Sequence, residues 1–252
     1  MKKGWYSLIA VSVIVSLAMA AQEEKKDIYA NPQNLKALPS EISSSELSNT
    51  MKGFALGLGV RCETCHVGES GQPLTTFDFE SDEKEMKRKA RVMITMLADI
   101  NSDYVPQLNK IDDTDRVEVR CVTCHRGRPQ PKLIEDELDE QLADTGLEAA
   151  LAHYAELREN YFGSHSYDFS EFTLPMYAQE LAAREQVTAA IALLQLNVSN
   201  FPDSYYTQFV LGELNNSAGN DEAALDAYAR AIELNPRAAR FIEAKIATIK
   251  QK

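Results

Sequence analysis

The sequence predicts a mainly α-helical protein made of two unlike parts. Two helix-spaced apolar stripes each lead into an identical cysteine frame, a 34-residue period occupies the last third, and nearly all the net negative charge lies after residue 132. The expected division is a leader over 1–20, a first functional part over 21–132, a linker and lead-in helix over 133–170, and helical repeats over 171–252.

The leader comes first. Lys2 and Lys3 precede an apolar stretch from Trp5 to Leu17, and Ala18-Met19-Ala20 follows as a small-x-small cleavage site. This reads as an export signal, so a periplasmic location is expected. The alternative is an uncleaved anchor, because the apolar run is near the lower length limit for spanning a bilayer. Membrane contact would otherwise need a membrane complex.

Ser43 and Glu46 form a capping-box pair ahead of Leu47, Thr50, Met51, Phe54 and Leu58, which line one side of a predicted helix ended by Gly57 and Gly59. Next comes Cys62-Glu63-Thr64-Cys65-His66. Ser81-Asp82-Glu83 reads as a second helix start, with Met86, Ala90, Met93, Leu97 and Ile100 at helical spacing up to Asn101. Cys121-Val122-Thr123-Cys124-His125 then repeats the frame.

All four cysteines are used in these two frames, and the spacing is that of c-type haem attachment. Two thiols three positions apart each add to one vinyl group of a porphyrin, and the adjacent histidine offers its imidazole to the iron. Cys62, Cys65, Cys121 and Cys124 are therefore expected to bind two covalent haem c groups, with His66 and His125 as iron ligands. A disulfide or zinc framework is the competing reading, and neither explains a histidine directly after each pair.

For the opposite face of each iron, the remaining histidines, His153 and His165, lie in the acidic C-terminal part and read as surface or packing residues. Methionine is the expected sixth ligand. Met51, eleven residues before Cys62 on the apolar stripe, serves the first site, and Met93 the second with Met96 as alternative.

Met51-Lys52-Gly53-Phe54 through Leu58-Gly59-Val60-Arg61, Ala90-Arg91-Val92-Met93-Ile94-Thr95-Met96, Ile100-Asn101 and Val122-Thr123-Cys124-His125-Arg126-Gly127 together resemble the cytochrome subunit of the photosynthetic reaction centre of purple bacteria. The resemblance covers residues 30–132, matching its two-haem first half. It implies Met51 opposite His66 and Met93 opposite His125, and electron transport in a photosynthetic setting. That subunit has four haem motifs; this chain has two, and Gln107 stands near the place of a family histidine that serves a haem of the second half.

Between Gln22 and Lys132 there are 16 basic and 18 acidic residues, and between Leu133 and Lys252 there are 8 and 20. Gly127, Pro129 and Pro131 punctuate the boundary, and the acidic run Glu135 to Glu140 reads as a linker. The formal net charge of −12 opposes binding to nucleic acid. Lys84, Lys87, Arg88, Lys89 and Arg91 read as a solvated helix face or a docking patch, whereas Arg61, Arg120, Arg126 and Arg128 are better placed to pair with haem propionates.

Residues 171–236 repeat with the tetratricopeptide period of 34: Asn200-Phe201-Pro202 matches Leu234-Asn235-Pro236, and Ala189-Ala190-Ile191 matches Ala223-Ala224-Leu225. Thr145–Asn160 precedes the array as a helix, and Arg237–Lys252 closes it. Such repeats bind a partner protein or pack on the rest of the chain. The functional expectation is an electron carrier acting between redox partner proteins, not an enzyme. The alternatives are a peroxidase-type haem enzyme and a repeat-docked subunit of a larger redox complex.

Overall fold

The computed structural model describes residues 27–112, 114 and 118–251, so the leader expected over 1–20 lies outside the described residues. The fold is mainly helical, and the one β-type pairing among the described residues is an isolated bridge between Val67 and Asp78. No helix among them is long and apolar enough to cross a membrane.

Helix α1 (Ser44–Leu58) starts as expected. The Ser43 side chain accepts from the Glu46 amide, and Glu46 accepts from the Ser43 amide at 3.0 Å. It stops at Gly59, whose left-handed φ of 65° lets its amide close the last turn. The short α2 (Cys62–Cys65) follows.

Helix α3 spans Glu85–Asp99, four residues later than the Ser81 start the pattern suggested. Asp82 is occupied elsewhere: it takes Lys36 at 2.6 Å, Arg91 at 2.8 Å and Asn34 at 2.8 Å. The Lys36 bond first, then Arg91 and Asn34, hold its carboxyl far below the usual range against the cost of desolvation. A π-helical turn at Ile100–Tyr104 joins α3 to α4 (Val105–Asp112), and α5 (Cys121–His125) carries the second frame.

The acidic run expected as a linker is helix α6 (Ile134–Asp144). Acids in a first turn complement its amides and dipole; Asp136 accepts from the Leu133 amide at 2.8 Å. Ile134 and Leu138, four apart, bury one face. Helix α7 (Leu147–Tyr161) follows, close to its expected span.

Two helical hairpins come next, α8 (Thr173–Ala183) with α9 (Val187–Asn200), and α10 (Tyr205–Ser217) with α11 (Asp221–Leu234). Both ends of α11 lie 34 residues beyond those of α9. Gly212 lets α10 and α11 touch, since a Cβ there would meet the Tyr228 ring at 2.6 Å. Helix α12 (Ala239–Ile249) closes the array.

The core is unevenly shared. One continuous cluster runs from Ile134 to Leu214, joining α6 and α7 to the first hairpin, and a second holds Ala224, Tyr228, Ala231, Ile242 and Ile249. Between residues 27 and 132, Leu47 is the only buried hydrophobic side chain among the described residues.

Candidate haem-binding site

The two cysteine frames are held by crossed pairs of helices. Helix α1 runs into the first frame in sequence but packs on α5, the second, while α3, which precedes the second, packs on α2. Close backbone approach makes the first cross possible. A Cβ on Gly57 would stand 3.2 Å from the Val122 nitrogen, and the Gly127 amide donates to the Gly57 carbonyl at 3.0 Å.

The second frame is further anchored by Asn101 in the π-helical turn. Its Nδ2 donates to the Val119 carbonyl and its Oδ1 accepts from the Val119 amide, each at 2.8 Å. Thr123 Oγ1 accepts from the Arg120 amide at 3.0 Å. Asn101 was visible in sequence only as part of a family-like stretch; no local pattern signals this reciprocal pair.

All four thiols are free, and among the described residues no three His, Cys, Asp or Glu side chains gather as a metal cluster. The geometry therefore gives no support to the disulfide or zinc readings. Burial first, then its neighbour Cys62, raises the thiol pKa of Cys65; burial also raises that of Cys121.

The two histidines are prepared differently. His125 is buried, and its Nδ1 donates to the Arg128 carbonyl at 2.9 Å. A carbonyl only accepts, so Nδ1 carries a proton, and Nε2 is the ring nitrogen left to face a metal. His66 packs edge-on against Phe79, with ring centres 4.9 Å apart. Its Nδ1 is buried without a hydrogen-bond partner. Burial first, then the charges of Lys87 and Arg91, push its pKa down to about 4, which keeps the imidazole neutral.

Methionine and apolar side chains of this part of the chain have little protein over them. Met51 is half-buried on α1, and Met93 and Met96 on α3 are 40% and 45% exposed. Leu56, Val92, Leu108, Ile111 and Val122 are also exposed. Of the expected ligand residues, Met51 lies on α1, the helix that packs on α5, and Met93 and Met96 lie on α3, the helix that packs on α2. A large flat apolar group with a central metal fits this donor set: paired free thiols, imidazoles, thioethers, and apolar surface that the chain itself leaves uncovered.

The basic residues behave differently from expectation. Lys87, expected on a solvated face, is buried, with Nζ donating to the carbonyls of Phe79 at 2.8 Å and Ser81 at 2.7 Å. Arg88 binds the carbonyls of Asp82 and Glu83, and Arg91 that of Asn34. Arg128, expected to face a propionate, turns its guanidinium toward Tyr161 and Glu137. His153 lies 3.5 Å from Glu137 and His165 is exposed in a turn, in keeping with packing and surface roles.

A family model described as the photosynthetic reaction centre cytochrome C subunit matches residues 7–216. A cytochrome c-554 of Chloroflexus aurantiacus is 30% identical over 102 residues, which is 40% of this chain and 22% of that relative. The chain thus spans only 22% of the length of that curated relative. With the family match running through both cysteine frames and on into the helical tail, the chain belongs to the photosynthetic reaction centre cytochrome C subunit family, cytochromes that carry covalently bound haem c.

Proposed function

We propose that the chain is an exported carrier of single electrons holding two haems. In this reading Cys62 and Cys65 bind one and Cys121 and Cys124 the other, with His66 and Met51 as the axial pair of the first and His125 and Met93 of the second. One observation carries it: each frame ends in a histidine with a ring nitrogen left for a metal, inside a part where Leu47 is the only buried hydrophobic side chain among the described residues.

Bound haem supplies a one-electron couple at iron, and a thioether ligand favours its reduced state. The chain's own residues do the rest. Thiols fix position, the Arg128 carbonyl orients His125, and apolar side chains such as Leu56 and Val92 offer surface that excludes water from a bound ring. Nothing in this ligand set leaves a position open for a substrate. The leader expected over 1–20 supports a periplasmic location, and the family supports redox partner proteins, with a reaction centre or respiratory complex as the class of acceptor or donor. The two hairpins related by 34 residues, together with α12, support a tetratricopeptide-like tail over 171–252 that docks a protein partner.

The test is the intact mass and visible spectrum of protein made in a host that matures c-type cytochromes. Two added haem masses, a reduced c-type spectrum and a weak near-infrared methionine-to-iron band in the ferric state are expected. Protein with one haem mass, or without that band, refutes the corresponding part.

A further inference from the structure

The second frame leaves through a left-handed turn, with Arg126 at φ 49° and Gly127 at φ 82°. Arg128 then sends its two ends in opposite directions. Its carbonyl accepts from His125 Nδ1 at 2.9 Å, while its guanidinium enters the helical tail. There the guanidinium lies 4.7 Å from the ring centre of Tyr161 and 5.3 Å from that of Tyr167. It donates to the Tyr161 hydroxyl and pairs with Glu137 at 3.4 Å.

Glu137 is fixed in turn. The Tyr167 hydroxyl donates to it at 2.6 Å and His153 Nε2 stands 3.5 Å away. Burial opposes its ionisation, but the bonds from Tyr167 and His153 and the charges of Lys132 and Arg128 prevail and keep its pKa below the ordinary value. A second tether runs in parallel, with Ser166 Oγ donating to the Arg126 carbonyl at 2.9 Å. At the first frame the arrangement is different: His66 Nδ1 has no acceptor, and its neighbours Phe79, Lys87 and Arg91 all precede the tail.

We infer that Arg128 is a positioning residue through which the helical tail sets the reduction potential at His125 without affecting that at His66. A hydrogen bond from Nδ1 makes an imidazole a stronger donor and favours the ferric state. The Tyr161, Tyr167 and Glu137 grip holds the Arg128 backbone, and with it the carbonyl that receives this bond. The inference rests on the reading that His125 ligates an iron.

Arg128→Lys in the full-length, haem-loaded protein keeps the positive charge but loses the flat fork that lies against two tyrosines. A redox titration of the wild type is expected to resolve two one-electron steps. The step at His125 is identified as the one that Met93→Ala also displaces. In Arg128→Lys that step moves to higher potential by about tenfold in its equilibrium constant, or about 59 mV, and the other stays. Exchange of the His125 Nδ1 proton with deuterated solvent, followed by NMR, becomes faster. Tyr161→Phe, which keeps the ring and removes only the hydroxyl, gives a smaller shift of the same sign and serves if the lysine variant does not fold. Unmoved steps with unchanged exchange, or equal displacement of both steps, would overturn the inference. A single titrating step with one haem mass would instead overturn the two-haem reading on which it rests.

Discussion

Gly59→Ala puts a methyl group where another part of the backbone already stands. The residue has φ 65°, and a Cβ there would lie 2.0 Å from the Gly127 carbonyl oxygen and 2.9 Å from its carbon. The left-handed conformation alone costs alanine about 1–2 kcal/mol. To accept the methyl, Gly127 must retreat by roughly 1 Å, an overpacking cost of about 1–3 kcal/mol. The Gly127-to-Gly57 bond is then lost or stretched, adding about 1 kcal/mol.

A total near 4 kcal/mol is expected for Gly59→Ala. Gly71→Ala is the control: its φ is 81° and nothing lies within 4 Å of its Cβ position, so it carries the conformational cost alone. Denaturant unfolding followed by haem absorbance should therefore separate the two variants by about 2–3 kcal/mol. The spectrum of the second site should also be disturbed in Gly59→Ala, since Gly127 is two residues from His125. Equal losses in the two variants would refute the close approach of α1 to the second frame.

Gly212→Ala should cost the tail about 1–3 kcal/mol through its clash with Tyr228 and leave both haem spectra as they are; far-ultraviolet melting with a parallel visible spectrum checks this. Met51→Ala should retain covalent attachment at Cys62 and Cys65 but remove one methionine-to-iron band and lower one potential, read by ferric near-infrared spectra and titration. The lowered pKa of Glu137 means that it contributes stability above its ordinary value of 4.5, and that this is lost as pH falls below 4.5 through the folded value. Glu137→Gln should accordingly flatten the acid limb of tail unfolding between neutral pH and pH 3; an identical acid limb would count against the ion pair with Arg128.

Much of this was readable locally. The α1 cap, the two cysteine frames and the 34-residue period each lie within a short window, and each is set by nearby chemistry. The start of α3 was not readable, because the acids at Ser81-Asp82-Glu83 suit an N-terminus equally well as a loop, and Lys36 and Asn34, over forty residues away, decide the matter. The acidic run of α6 misled for a related reason: charge suggested a linker, but the Ile134 and Leu138 stripe buries against α7 and the first hairpin. Lys87 shows the limit of residue-type reasoning, since backbone carbonyls of the 79–81 loop make burial of an ammonium tolerable. The crossed helix pairs and the grip on Arg128 depend on backbone contacts between distant segments, for which composition and spacing carry no signal.

The scarcity of buried hydrophobic side chains before residue 132 bears on the order in which the protein matures. The tail, with its own two clusters, can become compact as soon as it is made. On the proposed haem-binding reading, the preceding segment would gain its shape only as haem is attached, because ligand binding and folding would then be a single event. The ligation machinery would therefore meet a loose, thiol-bearing strand tethered to an already finished body, and the Arg128 clasp would close last.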